Sequence, residues 1–350
     1  MTIRDRSPRA AAALVVGTTV MASVVLSLVG LPSAVLFGAL LGGMAHALTS
    51  PTPLAVPGIA FKVAQGLVGV TVGTLVSLSA LEQIGRDLPI VVAVTVGTIA
   101  LSLLAGRLLA LRRDVSPLTG AFSMIAGGAS GVVATARDLG ADERVVTVVQ
   151  YLRVVVVLVT LPFVTAVVFR PESGQGVVGA SDAGLGADLL CVALALGVGL
   201  PLAARVPVPT ATLLLPLVAA AVITASGVLG PVAVPTAVQW VAYALIGAQV
   251  GLRFTRDSLR SIARMLPVVL ALIVALLVAC ALMGAALAWL TPVDGLTAYL
   301  ATTPGGLFAV LAAAADSGSE ITFVMALQLV RLLAILALTP ALAAWLRRRA

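Results

Sequence analysis

The chain has 350 residues, of which 61% are apolar and 10% charged, and its formal net charge is +7. Water-soluble globular proteins carry about 25% charged residues, so this chain has too little charged surface to disperse its apolar mass in water, and lipid is the expected solvent. The basic residues stand in short clusters beside long apolar runs, where Lys and Arg orient membrane segments, so nucleic-acid binding is not expected.

In chain order the apolar segments lie at about 10–31, 33–49, 58–80, 88–111, 117–136 and 145–168, then 189–204, 209–228, 233–252, 267–290, 295–315 and 321–346. The first is long enough to span a bilayer, and the run from Leu189 to Ala204 takes its place in the second half, so it reads as a membrane segment and not as a cleaved signal. Arg170 to Asp188 is the one long polar, Gly-rich interruption. It divides the chain into a membrane repeat at 1–169, a linker at 170–188 and a second repeat at 189–350.

A shift of 178 positions aligns the halves without a gap from Val56/Val234 to Pro162/Pro340, with about a third of the pairs identical. Such self-similarity is an internal duplication. Charge placement indicates its sense. If the N-terminus with Arg4 and Arg6 is cytoplasmic, full crossing by the fifth segment would put the cluster Arg253, Arg256, Arg260 and Arg264 outside, against the positive-inside rule. If that segment dips in and returns, the clusters sort correctly and the second repeat is inverted. The expected fold class is an all-α integral membrane protein of two inverted repeats, each about five transmembrane helices plus one re-entrant or broken helix hairpin. The expected location is the inner membrane of a bacterium, multi-pass, with both termini cytoplasmic.

The candidate hairpins are SPLTGAFSMIAGGASGVVATARDLGADE and DGLTAYLATTPGGLFAVLAAAADSGSE, each with a Gly-Gly near its middle. Arms of roughly ten residues reach about 15 Å, half the hydrocarbon thickness. Unwound backbone at that depth must be buried by protein or line a cavity, so the tips are natural solute sites. Gly127, Gly128, Gly305 and Gly306 expose backbone there, and Ser123, Ser130, Thr302 and Thr303 offer hydroxyls. The alternative is a broken helix whose glycines serve close packing.

Gln150 with Arg153, and Gln328 with Arg331, lie at i and i+3, each pair on one helix face. An arginine that deep in an apolar segment must be paired or face water. Two partners fit: an anionic solute, or a clamp of Arg153 on Asp138 and of Arg331 on Asp316. Lys62 and Trp240 suit an interface, and the single histidine, His46, reads as tolerated near a segment end. Cys191 and Cys280 read as buried packing residues. One histidine and two lipid-buried cysteines supply no metal cluster, so no metal, no cofactor and no enzymatic activity are expected.

The repeated pattern, with PGG in the second hairpin followed by the QLVRLL helix, resembles the AbrB family of bacterial membrane proteins through both copies. Members of that family carry labels such as "ammonia monooxygenase" or "regulator of gene expression". The first hairpin departs from it, with Ala126 in place of the proline. The five-crossings-plus-hairpin plan also resembles ion-coupled carboxylate transporters. The function expected is therefore a permease of a small, anionic solute working by alternating access, with H+ or Na+ as coupling ion and with a homo-oligomer as one form of the protein. The alternative is a membrane regulator acting on gene expression through a partner protein.

Overall fold

The computed structural model describes residues 8–29, 31, 33–50, 54–76, 82, 85, 88–126, 132, 136–137, 139–169, 184–206, 210–253, 260 and 263–347. Among these residues every regular element is a helix. They are α1 (Pro8–Leu28), α2 (Ala34–Thr49), α3 (Gly58–Thr74), α4 (Leu88–Leu109), α5 (Pro117–Met124), α6 (Glu143–Val164) with a π turn at Thr165–Phe169, α7 (Leu185–Ala203), α8 (Ala211–Ser226), α9 (Thr236–Gly251), α10 (Leu266–Leu290), α11 (Gly295–Thr302), α12 (Leu307–Asp316) and α13 (Ile321–Arg347). Helix is what lipid requires of such runs, because every backbone N–H and C=O must then be satisfied within the segment. Among the described residues five helices are long and apolar enough to cross a membrane: α1, α4, α6 with its π turn, α7 and α10. The helices α2, α3, α8 and α9 have 16 or 17 residues each, which is about 25 Å of rise. They are shorter than the runs at 58–80, 209–228 and 233–252 suggested.

The chain forms two compact units, and each draws on both halves of the sequence. The first comprises residues 1–77, 161–255 and 311–322. In it α2 packs against α1 and α9, and α3 packs against α7, α8 and α9. Glycine makes two of these contacts close. A Cβ on Gly247 or Gly251 of α9 would collide with the carbonyl oxygens of Leu36 and Leu40 on α2. A Cβ on Gly69 or Gly73 of α3 would collide with those of Leu213 and Leu217 on α8. The third helix of each half thus lies against the second helix of the other, backbone to backbone, as small residues permit in membranes. Cys191 on α7 is buried and free.

The second unit comprises residues 78–160, 256–310 and 323–350. There α4 packs against α5 and α10, and α10 packs against α11. Cys280 on α10 is buried and free as well. Each short helix begins on a side-chain cap. Ser116 accepts from the Thr119 N–H at the start of α5, and Asp294 accepts from the Leu296 and Thr297 N–H groups at the start of α11. Pro117 stands at the first turn of α5, where its missing N–H leaves nothing unpaired. A core of Phe122, Val132, Ala136, Ala141 and Val146 holds α5 in place.

Candidate functional site

The segment expected at 295–315 is broken. α11 ends at Thr302, and α12 starts at Leu307. Thr303 is extended, with φ −57° and ψ 125°, the conformation that Pro304 imposes on the residue before it. Pro304 also has no N–H to give the Leu300 carbonyl four residues back. Gly305 and Gly306 follow at φ +110° and +70°, values that glycine alone adopts freely. In the first half α5 ends at Met124, and Ile125 takes nearly the same conformation, φ −62° and ψ 128°, without a proline after it. Gly127, Gly128, Ser130 and Asp138 lie outside the described residues.

A helix that stops inside a protein leaves carbonyls unpaired, and each must find a donor. The two Gln-Arg pairs supply them. Gln150 on α6 donates from Nε2 to the Phe122 carbonyl at 2.7 Å and to the Ile125 carbonyl at 2.9 Å. Arg153 donates from Nη1 to the Met124 carbonyl at 2.8 Å and from Nη2 to Gln150 Oε1 at 2.7 Å. Gln328 on α13 donates to the Leu300 carbonyl at 3.0 Å and to the Thr303 carbonyl at 3.1 Å. Arg331 donates from Nη1 to the Thr303 carbonyl at 3.0 Å and from Nη2 to Gln328 Oε1. The arginines therefore stand at the negative ends of two short helices, which offset part of their charge.

Both guanidinium groups are almost wholly enclosed, Arg153 at 2% exposure and Arg331 at 5%. They lie near enough to repel each other. Among the described residues of their unit, neither has a carboxylate within salt-bridge distance. The Nε–H of each has no hydrogen-bond partner, nor has the Ser123 hydroxyl in the last turn of α5. A Cβ built on Gly305 would come within 3.1 Å of Arg153 Nε, so an arginine from the first half reaches the break of the second. Thr302 and Thr303 donate their hydroxyls to carbonyls of their own helix, Thr302 to Ala298 and Thr303 to Tyr299. Their remaining capacity is to accept. Asp316, in the first unit, takes a hydrogen bond from Ser33 at 2.6 Å.

The capping role of the Gln-Arg pairs was absent from the sequence reading. One signal for it exists: Ile125 to Gln150 and Thr303 to Gln328 have equal spacing, so each amide stands at one offset from a helix break.

The description "Transition state regulatory protein AbrB" belongs to a family model that matches residues 35–347. The chain belongs to the AbrB family. It is 34% identical over 318 residues, 90% of each chain, to a protein of Escherichia coli (strain K12) named "Putative regulator AbrB". It is 24% identical over 292 residues to "Uncharacterized protein YhjN" of Bacillus subtilis (strain 168), covering 79% of this chain and 76% of that one. In this AbrB-family chain the matched region takes in both Gln-Arg pairs and both short helices α5 and α11.

Proposed function

We propose that this chain is an inner-membrane transporter of a small anionic solute, with two inverted halves, alternating access and a solute site at the two helix breaks. One observation carries the reading: two buried guanidinium groups cap the helix ends and keep an Nε–H donor each to spare. Two cations with no carboxylate beside them among the described residues are expensive in a poorly hydrated place, and an anion between them removes that expense. The planar guanidinium suits carboxylate or phosphate oxygens. Ser123 adds a third unpartnered donor. In this reading the chain performs no covalent chemistry, and H+ or Na+ supplies the drive.

The test is transport-coupled current from purified protein in liposomes, presented in turn with mono- and dicarboxylates, phosphate, neutral sugars and amines. Current should appear with an anion, and Arg331→Lys should reduce it by at least tenfold while the protein stays folded. Current with neutral or cationic solutes alone would remove the anionic site. A regulatory reading draws on the names its relatives carry. It requires a partner protein, and recovery of one stoichiometric cytoplasmic partner from a protein with no measurable flux would favour it.

A further inference from the structure

The first unit holds a cavity of about 500 Å³, within the range of small-molecule sites. Its wall is mixed: Asp316, Ser33, Gln239 and Tyr243, with Ser23, Ser27 and Thr236, make its polar part, and Val24 and Val35 belong to its apolar part. None of these polar groups takes part in the Gln-Arg network of the second unit.

Ser33 is held in the left-handed region, φ 53° and ψ 34°, and is the one non-glycine residue with positive φ among those described. Such strain persists only where the surroundings impose it. Here its return is visible, because the conformation turns both the Ser33 hydroxyl and its backbone N–H toward the Asp316 carboxylate. Both donors are neutral. Among the described residues of this unit no Lys or Arg lies within salt-bridge distance of Asp316. Tyr243, 2% exposed, lines the cavity with its hydroxyl enclosed and without a hydrogen-bond partner. Trp240 adds an aromatic ring to the wall.

A half-buried carboxylate, an aromatic ring and an apolar side to the wall together suit one kind of guest. The carboxylate requires a positive charge, the ring favours a cation over an anion, and the apolar wall requires hydrocarbon. A bare alkali ion would make no use of that apolar side. We propose that this cavity binds a small organic ammonium ion, its nitrogen at the Asp316 carboxylate and a short alkyl body against Val24 and Val35. This site is separate from the transport reading, and either can fail without the other.

The experiment is a titration of the full-length protein in detergent with n-butylammonium chloride, read by thermal unfolding and tryptophan fluorescence, with sodium chloride and sodium butanoate at equal ionic strength beside it. Butylammonium should stabilise the protein saturably, and neither sodium salt should. Asp316→Asn should weaken binding at least tenfold. Val35→Phe leaves the carboxylate in place and fills the apolar side, so it too should weaken butylammonium about tenfold, and it serves if the Asp316 variant fails to fold. No saturable effect on the parent protein, equal stabilisation by sodium chloride, or unchanged affinity in Val35→Phe would each overturn the proposal.

Discussion

Gly305 and Gly306 are neighbours with different reasons to be glycine, and substitution separates them. At Gly305 the φ of +110° and the Arg153 guanidinium 3.1 Å from a virtual Cβ both oppose a side chain. At Gly306 the φ of +70° is left-handed and the space is open, so alanine there costs about 1–2 kcal/mol. Gly305→Ala should abolish function and lower the unfolding temperature more than Gly306→Ala, in a comparison of flux with thermal stability in detergent. Gln150→Ala removes donors from two buried carbonyls, and at about 1–3 kcal/mol for each unsatisfied group it should be among the more destabilising single changes in the second unit. A Gln150→Ala protein of parental stability would show that water replaces the amide. The buried arginines stand out in the sequence, because a charge inside an apolar run is conspicuous. Their partners do not, because a carbonyl oxygen belongs to every residue and leaves no mark in the sequence. That is why acids, Asp138 and Asp316, presented themselves as partners; among the described residues the hydrogen bonds of Arg153 and Arg331 go to Met124, Thr303 and the glutamines, and Asp138 lies outside those residues.

At the level of elements, the break after α11 is written as Pro304 and two glycines, and the break after α5 occurs without the proline. Ile125 already has the extended conformation that a following proline demands, so Ala126→Pro should be tolerated. It should raise stability by about 0.4–1 kcal/mol through the unfolded chain; a destabilised variant would show that the Ala126 N–H is needed. The helices themselves were legible as apolar runs, and each expected segment overlaps at least one. Their ends were not, because α3 stops at Thr74 inside a run that stays apolar well beyond it. The cavity near Ser33 left no pattern at all. Its polar groups come from α1, from α9, from the turn before α2 and from the last residue of α12, and nothing in a linear reading joins them.

For the whole molecule, orientation remains a matter of charge, and cysteines placed singly test it in a background without Cys191 and Cys280. An impermeant thiol reagent should reach Glu82→Cys and Asp294→Cys from outside, and should not reach Asp114→Cys or Asp257→Cys. External labelling at Asp257→Cys would rule out the inverted arrangement. The crossed contacts of the first unit, α2 with α9 and α3 with α8, make a second prediction. Neither half holds the faces that cover its own glycines and leucine carbonyls. Fragments 1–176 and 177–350 should each be degraded when made alone, and should accumulate and co-purify when made together.

The same crossing sets a schedule for biosynthesis. Leu36 leaves the ribosome about two hundred residues before Gly247, the residue that will lie on its carbonyl. At about 5–20 residues per second, α2 waits on the order of 10–40 s for its partner while the intervening helices enter the bilayer. During that interval its bare face is open to other nascent segments or to an insertion factor. Crosslinks from a photoreactive residue at Leu36 should therefore go to the insertion machinery in chains arrested before residue 236, and should move to α9 once arrest falls well past Gly251.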